Sequence, residues 1–145
     1  MARAADAVNA IVAYRPDHFD GIDRLWSRVF PDDPPRNRAA VAIPAKLALD
    51  DGLLWVAENL NGAVIGTIMA GWDGHRGWLY AVAVDPAARH GGIGRALVDT
   101  ALARLAALGC NKVNLQVRED NTAVVDFYRK LGFAVEPRVS MGRAL

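Results

Sequence analysis

The sequence predicts an α+β domain on a mixed sheet, antiparallel in its first part and parallel at one later step. Three observations carry that reading. Apolar runs of strand length lie between Leu53 and Val84, separated by the turn-forming stretches Asn61–Gly62 and Trp72–Gly77. Helix-period apolar faces flank them, one at Phe19, Ile22, Trp26, Val29 and Phe30, the other at Ile93, Leu97, Val98, Ala101, Leu105 and Leu108. The second of these helices stands between two strand candidates, and a strand–helix–strand crossing brings the chain back parallel.

Taken in order, Ile11–Tyr14 is a short strand candidate closed by Arg15–Pro16. Asp17 is placed to cap the helix that follows, accepting from backbone N–H groups in its first turn. Pro31–Pro35 ends that helix. Residues 36–49 form a second helix candidate, interrupted by Pro44. Leu53–Glu58, Ala63–Gly71 and Trp78–Val84 are three strands, the last apolar throughout and therefore central. Trp26 and Trp55 read as core, whereas Trp72 and Trp78 flank one turn and are placed to pair across the strands. Gly109 ends the long helix. Val113, Leu115 and Val117 alternate in a strand over Lys112–Val117, Arg118–Thr122 is a loop with a cap signal, and Ala123–Leu131 is a short helix ended by Gly132. "FAVEP" and "VSMGRAL" are read as two closing strands.

With 145 residues, 52% of them hydrophobic, the chain suits a single domain over 1–145. About the first nine residues read as a loose lead-in. A net charge of +1, from 17 basic and 16 acidic residues, argues against a chain whose main task is to coat nucleic acid or an anionic membrane. It leaves room for a small local anion site. No apolar stretch is long enough to cross a bilayer. The single cysteine, Cys110, excludes an internal disulfide and fits a reducing, cytoplasmic compartment. It reads as a small buried hydrophobe rather than a nucleophile.

The chemistry points to "VAVDPAARHGGIGRALVDTALARLAAL", Val82–Leu108, where a strand hands over to a helix through a loop holding Arg89, His90, Gly91, Gly92 and Gly94. The first turn of a helix has N–H groups without intrahelical partners, and the helix dipole makes that end partly positive. Glycines remove the Cβ atoms that would hold an anion away and let successive N–H groups point inward as a nest. Such a loop is a phosphate cradle, to which Arg89, His90 and Arg95 add positive charge. An ordinary tight turn uses the same glycines, so the loop alone is weak. A P-loop is excluded because Arg95–Ala96 follows Gly94. The dinucleotide fingerprint fails because Leu97 stands where the third glycine belongs and no acidic residue falls near the ribose position.

The pattern Arg89-x-x-Gly92-x-Gly94, set between a strand and an amphipathic helix, resembles the pyrophosphate-binding motif of the GCN5-related N-acetyltransferases, the GNAT superfamily. "EDNTAVVDFYRKLGFAV", Glu119–Val135, is similar to that family's second hallmark, an asparagine seven residues before a tyrosine and then a Leu-Gly-Phe ending. The order of elements along nearly the whole chain is similar as well. "GWDGHRGWLY" and the ending "SMGRAL" resemble a bacterial YpeA-like subgroup of unassigned substrate. The resemblance implies the GNAT fold: a mixed, mostly antiparallel sheet of six to seven strands, helices on both faces, and a splayed parallel strand pair ending here at Val84 and Val117.

It also implies a site. Acetyl-CoA would lie between the splayed strands, with the main chain of Val82, Ala83 and Val84 bonding the pantetheine arm like an added strand and one amide polarising the thioester carbonyl. His90, Gly91, Gly92, Ile93, Gly94 and Arg95, with Arg89, would hold the pyrophosphate. Asn121 would contact the cofactor arm, a role compatible with capping the next helix. Tyr128 would be the general acid, a phenol near pKa ~10 donating to a thiolate whose conjugate acid is near ~8.5. Without the resemblance, Tyr128 is a core tyrosine beside Val124 and Leu131. The pattern breaks at the general base: Gln116 stands where some members carry a glutamate. Glu119, Asp120, His75, Asp85 and a water chain remain as candidates, with His75 expected in a turn away from the cofactor sulfur.

The implied activity is direct transfer of acetyl to a primary amine of a small molecule, an amino acid, or a peptide or protein N-terminus, with no metal and no cysteine relay. The acceptor would enter between the Phe30–Lys46 region and the closing strands. Arg36, Arg38 and Lys46 would either attract an acidic acceptor or form a solvated helix face. Family members often dimerise, which admits a homodimer here. Gln116 leaves open a second reading, a non-catalytic acyl-CoA sensor or interaction module. A third, a nucleotide-phosphate binder, is disfavoured by the failed fingerprints.

Overall fold

Strand pairing follows the apolar runs. β1 (Val8–Ala13), β2 (Leu54–Asn59), β3 (Val64–Trp72), β4 (Gly77–Val84) and β5 (Val113–Asn114) lie side by side in chain order. The first three pairings are antiparallel and β4–β5 is parallel, as the helix between them requires. The structure, a computed structural model, describes residues 8–145. They divide into two compact units, one ending at Leu115 and the other Gln116–Leu145. Asx turns close both hairpins: the Asn59 Oδ1 accepts from the N–H groups of Asn61 and Ala63, both at 2.9 Å. The Asp73 Oδ1 accepts from those of His75 and Arg76, both at 2.8 Å.

Three helices cover this sheet: α1 (Phe19–Val29), α2 (Ala39–Ala48) and α3 (Ile93–Ala107). Ile22, Leu25 and Trp26 of α1 and Ala39 and Ile43 of α2 share a core cluster with Leu54, Val56 and Ala83 of the sheet. Ile93, Leu97, Val98, Ala101 and Leu105 of α3 are buried as their spacing predicts. Neighbouring residues of β3 show that α1 and α3 lie on opposite faces. Thr67 bonds the Trp26 side chain, while a Cβ on Gly66 would stand 3.0 Å from Leu97 Cδ1, 3.1 Å from Ala83 O and 3.2 Å from Ile93 Cγ2. Glycine at position 66 is thus what lets the first turns of α3 lie flat on the sheet. Fully buried Leu97, Leu105 and Ile68 each contribute about 1.5–3 kcal/mol of hydrophobic stabilisation. Among the described residues no helix is long and apolar enough to cross a membrane.

In the second unit, α4 (Thr122–Lys130) starts at Asn121, whose Oδ1 accepts from the Val124 N–H at 3.4 Å. It ends in a Schellman motif. Gly132, at φ 95°, donates to Arg129 O at 3.0 Å, Phe133 donates to Tyr128 O at 3.1 Å, and the Phe133 ring meets that of Tyr128 at 5.5 Å. The Leu-Gly-Phe ending is therefore the physical stop of this helix.

Several expectations need correction. The predicted closing strands "FAVEP" and "VSMGRAL" are not strands among the described residues, so the sheet has five strands rather than six to seven. Alternation marks faces, but a strand exists only through a ladder, and Pro137 offers no N–H to one. β5 is two residues long rather than six. β1 begins at Val8, so Val8 and Asn9 belong to the sheet and not to a lead-in, whose remaining residues, 1–7, lie outside the described ones. Asp17 does not cap α1: Pro16 starts a 3-10 turn over Pro16–His18, and Asp17 accepts instead from Arg15 Nε at 3.2 Å. α2 runs through Pro44 without a break. The register pairs Gly71 with Trp78 and Trp72 with Gly77, which puts the two tryptophans on opposite faces and prevents the expected pairing.

Candidate functional site

β4 changes character in its middle. Thr67 pairs with Ala83 and Met69 with Tyr80, so one β3 residue, Ile68, faces two β4 residues, Ala81 and Val82. This is a bulge, which bends its strand and redirects its peptide groups. Ala81 sits at φ 48°, a left-handed conformation that costs an L-residue about 1–2 kcal/mol. Thr67 Oγ1 donates to the Ala81 carbonyl at 2.9 Å and accepts from Trp26 Nε1, also at 2.9 Å. On the other edge, β5 pairs with β4 only at Gly77 and Trp78. Beyond Trp78, the stretch carrying Val82, Ala83 and Val84 has no β5 partner among the described residues. The parallel pairing thus ends at Trp78 and Asn114, four residues before Val82, rather than running on toward Val84 and Val117.

The loop after Val84 is held at its first residue. Asp85 accepts from the Ala87 N–H at 3.0 Å and pairs with Arg28 of α1 at 2.7 Å. Pro86–Ala88 make one 3-10 turn, and Arg89 Nε donates back to Val84 O at 3.2 Å. His90 and Gly92 then take left-handed conformations, at φ 69° and 80°. The bond from Ala96 N to Gly92 O, at 3.0 Å, joins the first residue past the initial turn of α3 to its cap, and no side chain caps that end. The N–H groups of Gly92, Ile93, Gly94 and Arg95 precede that bond. Ile93 is buried at 3% exposure, so its side chain faces the core, while Gly91 and Gly92 are exposed. A Cβ at Gly92 would meet nothing within 4 Å. The result is an exposed loop with four main-chain N–H groups ahead of the first helical bond and Arg89, His90 and Arg95 at the surface; Arg95 stands 3.7 Å from Asp99.

The second unit carries Asn121 and Tyr128. Asn121 is engaged as the cap of α4. Tyr128 is buried at 7% exposure, edge-on to Phe127 and Phe133, and burial pushes its phenol up to about 12. It therefore keeps its proton throughout the neutral range. Gln116 Nε2 donates to Ser140 Oγ and offers no base.

The remaining candidates sort by their partners. Asp85 is committed to Arg28 and its own turn. His75 lies on the β3–β4 turn, at the end of β4 opposite the glycine loop, while Glu119 and Asp120 are exposed. Lys46 is buried and donates to Ala70 O and to Asp51 at 2.7 Å, pinning α2 to β3, so the expectation that it draws in an acceptor is withdrawn. Cys110 follows the C-terminus of α3 and donates to Lys112 O at 3.3 Å. No group of three or more His, Cys, Asp or Glu among the described residues is arranged to hold a metal ion. Sequence reasoning missed the Trp26–Thr67 chain and the bulge that it reaches. The available signal was one threonine inside the apolar run "AVIGTIMAG".

The sequence profile described as the Acetyltransferase (GNAT) family matches residues 15–133. The chain is 40% identical over 134 residues to an acetyltransferase of Pectobacterium atrosepticum, covering 91% of this chain and 92% of that protein. It is 37% identical over 134 residues to an acetyltransferase of Yersinia pseudotuberculosis, with the same two coverages, 91% and 92%. Among solved structures it is similar to Ard1 from Thermoplasma volcanium, with a TM-score of 0.77 at 24% identity, covering 88% of this chain and 83% of that one. It is also similar to the aminoglycoside N-acetyltransferase AAC(6')-Iy in complex with CoA, with a TM-score of 0.76 at 21% identity over 93% of each chain. At those identities the structural likeness is one of fold.

Proposed function

The chain belongs to the acetyltransferase (GNAT) family and is an acyltransferase, and from that premise we propose that it moves an acetyl group from acetyl-CoA directly to a primary amine. The observation that supports this most is a strand with an open edge after Trp78 leading straight into an uncapped helix N-terminus. Val82, Ala83 and Val84 offer that edge to the pantetheine arm as a neighbouring strand would. The N–H groups from His90 to Arg95 suit a diphosphate, and the space at Gly92 admits its oxygens. Asn121 is proposed for the same arm only through its match to the family's asparagine position, beside its role as the cap of α4.

Acetyl-CoA supplies an activated acyl carbon. The attacking nitrogen needs a free electron pair; the C–N bond forms, the C–S bond breaks, and the pair leaves on sulfur. An amide of the Val82–Val84 stretch draws charge from the carbonyl oxygen as it develops. Tyr128, at the family's tyrosine position, serves the departing sulfur. With its phenol near 12, full proton transfer to a thiolate of conjugate-acid pKa ~8.5 is uphill by roughly 3–4 pH units. Tyr128 therefore works first as a hydrogen-bond donor to the developing thiolate. No side chain is assigned as base: the amine reacts through its neutral fraction, and the proton its nitrogen sheds passes to solvent or to the departing thiolate, which leaves as CoA-SH. Cys110 is no acyl carrier: it follows the far end of a 15-residue helix, about 22 Å from the glycine loop.

Calorimetry with CoA and acetyl-CoA, followed by thiol release across a panel of small amines, amino acids and peptides, tests the reading. Heat with CoA and release with one acceptor class are expected. Absence of heat with folded protein ends the reading, and binding without release across the panel converts it to the acyl-CoA sensor. Tyr128→Phe should lower turnover by about a hundredfold while leaving CoA affinity intact; unchanged turnover removes its role.

A further inference from the structure

We propose that Trp26 and Thr67 are positioning residues for acyl transfer: their hydrogen-bond chain fixes the Ala81–Val82 peptide plane and so aims the Val82 N–H at the thioester carbonyl. The inference rests on the acetyl-CoA reading above. Its direction follows from donor chemistry. An indole N–H only donates, so the Thr67 hydroxyl accepts from Trp26, and its own proton goes to Ala81 O. Trp26 is 4% exposed and Thr67 fully buried, so water does not compete for the bond between them, while the bond to Ala81 O is part-buried.

The aim comes from the covalent plane. In a trans peptide the N–H points opposite to the C=O, and no cis bond occurs among the described residues. The Ala81 carbonyl turns toward the Thr67 hydroxyl, so the Val82 N–H turns the opposite way, on a stretch whose outer edge has no β5 partner among the described residues. A carbonyl that accepts a hydrogen bond also polarises its peptide and makes the attached N–H a better donor. The chain thus sets both the direction and the strength of one amide.

Packing alone does not call for a hydroxyl here. Valine has nearly the shape of threonine, suits a buried strand, and brings no polar atom to satisfy. Threonine together with an indole donor makes sense if the carbonyl at the bulge must be held. Holding it also offsets the cost of the left-handed Ala81 at φ 48°.

Thr67→Val removes the hydroxyl and keeps the shape, Thr67→Ser keeps the hydroxyl, and Trp26→Phe removes the N–H. Each variant is read by calorimetry with acetyl-CoA, by the infrared carbonyl stretch of isotope-labelled acetyl-CoA when bound, and by thiol release. Wild type should lower the stretch relative to free acetyl-CoA. Thr67→Val should return it toward the free value and slow turnover about tenfold or more, with affinity within about threefold. Trp26→Phe should move both in the same direction by less, and Thr67→Ser should stay within about threefold of wild type. The double variant should be no worse than Thr67→Val, because both changes act through one hydroxyl. A wild-type carbonyl frequency in Thr67→Val overturns the proposal and leaves the chain a packing device. If Thr67→Val does not fold, Trp26→Phe decides by the same criterion. Failure of wild type to bind acetyl-CoA is a different result and removes the proposed function itself.

Discussion

The glycine loop and the β4 bulge are neighbours in sequence and opposites in construction. From His90 to Arg95 the loop is mostly exposed apart from Ile93, its first-turn donors are uncapped, and its two left-handed residues are His90 and Gly92. At Ala81–Val82 the conformation is equally unusual, yet no glycine is present and a buried side-chain pair holds it. The first region is shaped by what is absent, the second by what pushes on it. On the proposed reading, a loop that grips a diphosphate needs room, whereas a peptide that is aimed at a carbonyl needs a support. Affinity and rate should therefore separate cleanly between the two.

The largest test of that separation is Gly92→Val. A branched side chain at φ 80° is strained by about 1–2 kcal/mol, and it occupies space that is now open. The dissociation constant for CoA should rise about a hundredfold or more, adding one or two lost charge-assisted bonds to the strain. The carbonyl stretch of acetyl-CoA at saturation should stay as in wild type, the reverse of the pattern expected for Thr67→Val. A shifted stretch with intact affinity would break the comparison.

Arg89→Ala sharpens it on a smaller scale. Arg89 is exposed and bonds Val84 O, so its charge is screened by solvent. CoA affinity should drop roughly three- to tenfold at low salt, by less at high salt, and turnover at saturation should not change. A loss that persists at high salt would point to loop shape rather than charge.

The smallest effect concerns acid. Near the start of α1, the helix that supplies Trp26, Glu58 bonds His18 Nε2 at 2.9 Å and Arg15 at 3.0 Å. The His18 bond first, and then Arg15, hold the Glu58 carboxyl below the usual carboxylate range. A lowered folded-state pKa stabilises above the unfolded value and loses that contribution as pH falls through the folded one. Thermal melts of wild type should thus lose stability below about pH 4.5, and Glu58→Gln should show a flatter acid limb. Identical limbs would free Glu58 from that role.

Much of this was legible in the sequence because it depends on local signals. The Gly92 turn, the stop at Gly132, the α3 core face and the parallel step each follow from residue types at fixed spacings. What was not legible is which of several partners, near or far along the chain, each side chain takes. Asp17 is drawn to Arg15 instead of a helix end, and Lys46 is taken by Asp51 and Ala70 O. The bulge is invisible in "WLYAVAV", since nothing there announces a left-handed alanine; its cause lies on β3 and α1. The closing segments alternate as strands do, but alternation cannot supply a neighbour to pair with.

On the proposed reading, Gly66 bears on which thioesters this chain would accept. With no side chain between β3 and the Leu97 and Ile93 of α3, the seat of that helix is set by hard contact and not by loop length. On the acetyl-CoA reading proposed above, the interval from the glycine loop to the Val82 amide is then a fixed span, and the chain would work as a calliper on its cosubstrate. An acyl group carried on a shorter or longer tether would satisfy one jaw and miss the other.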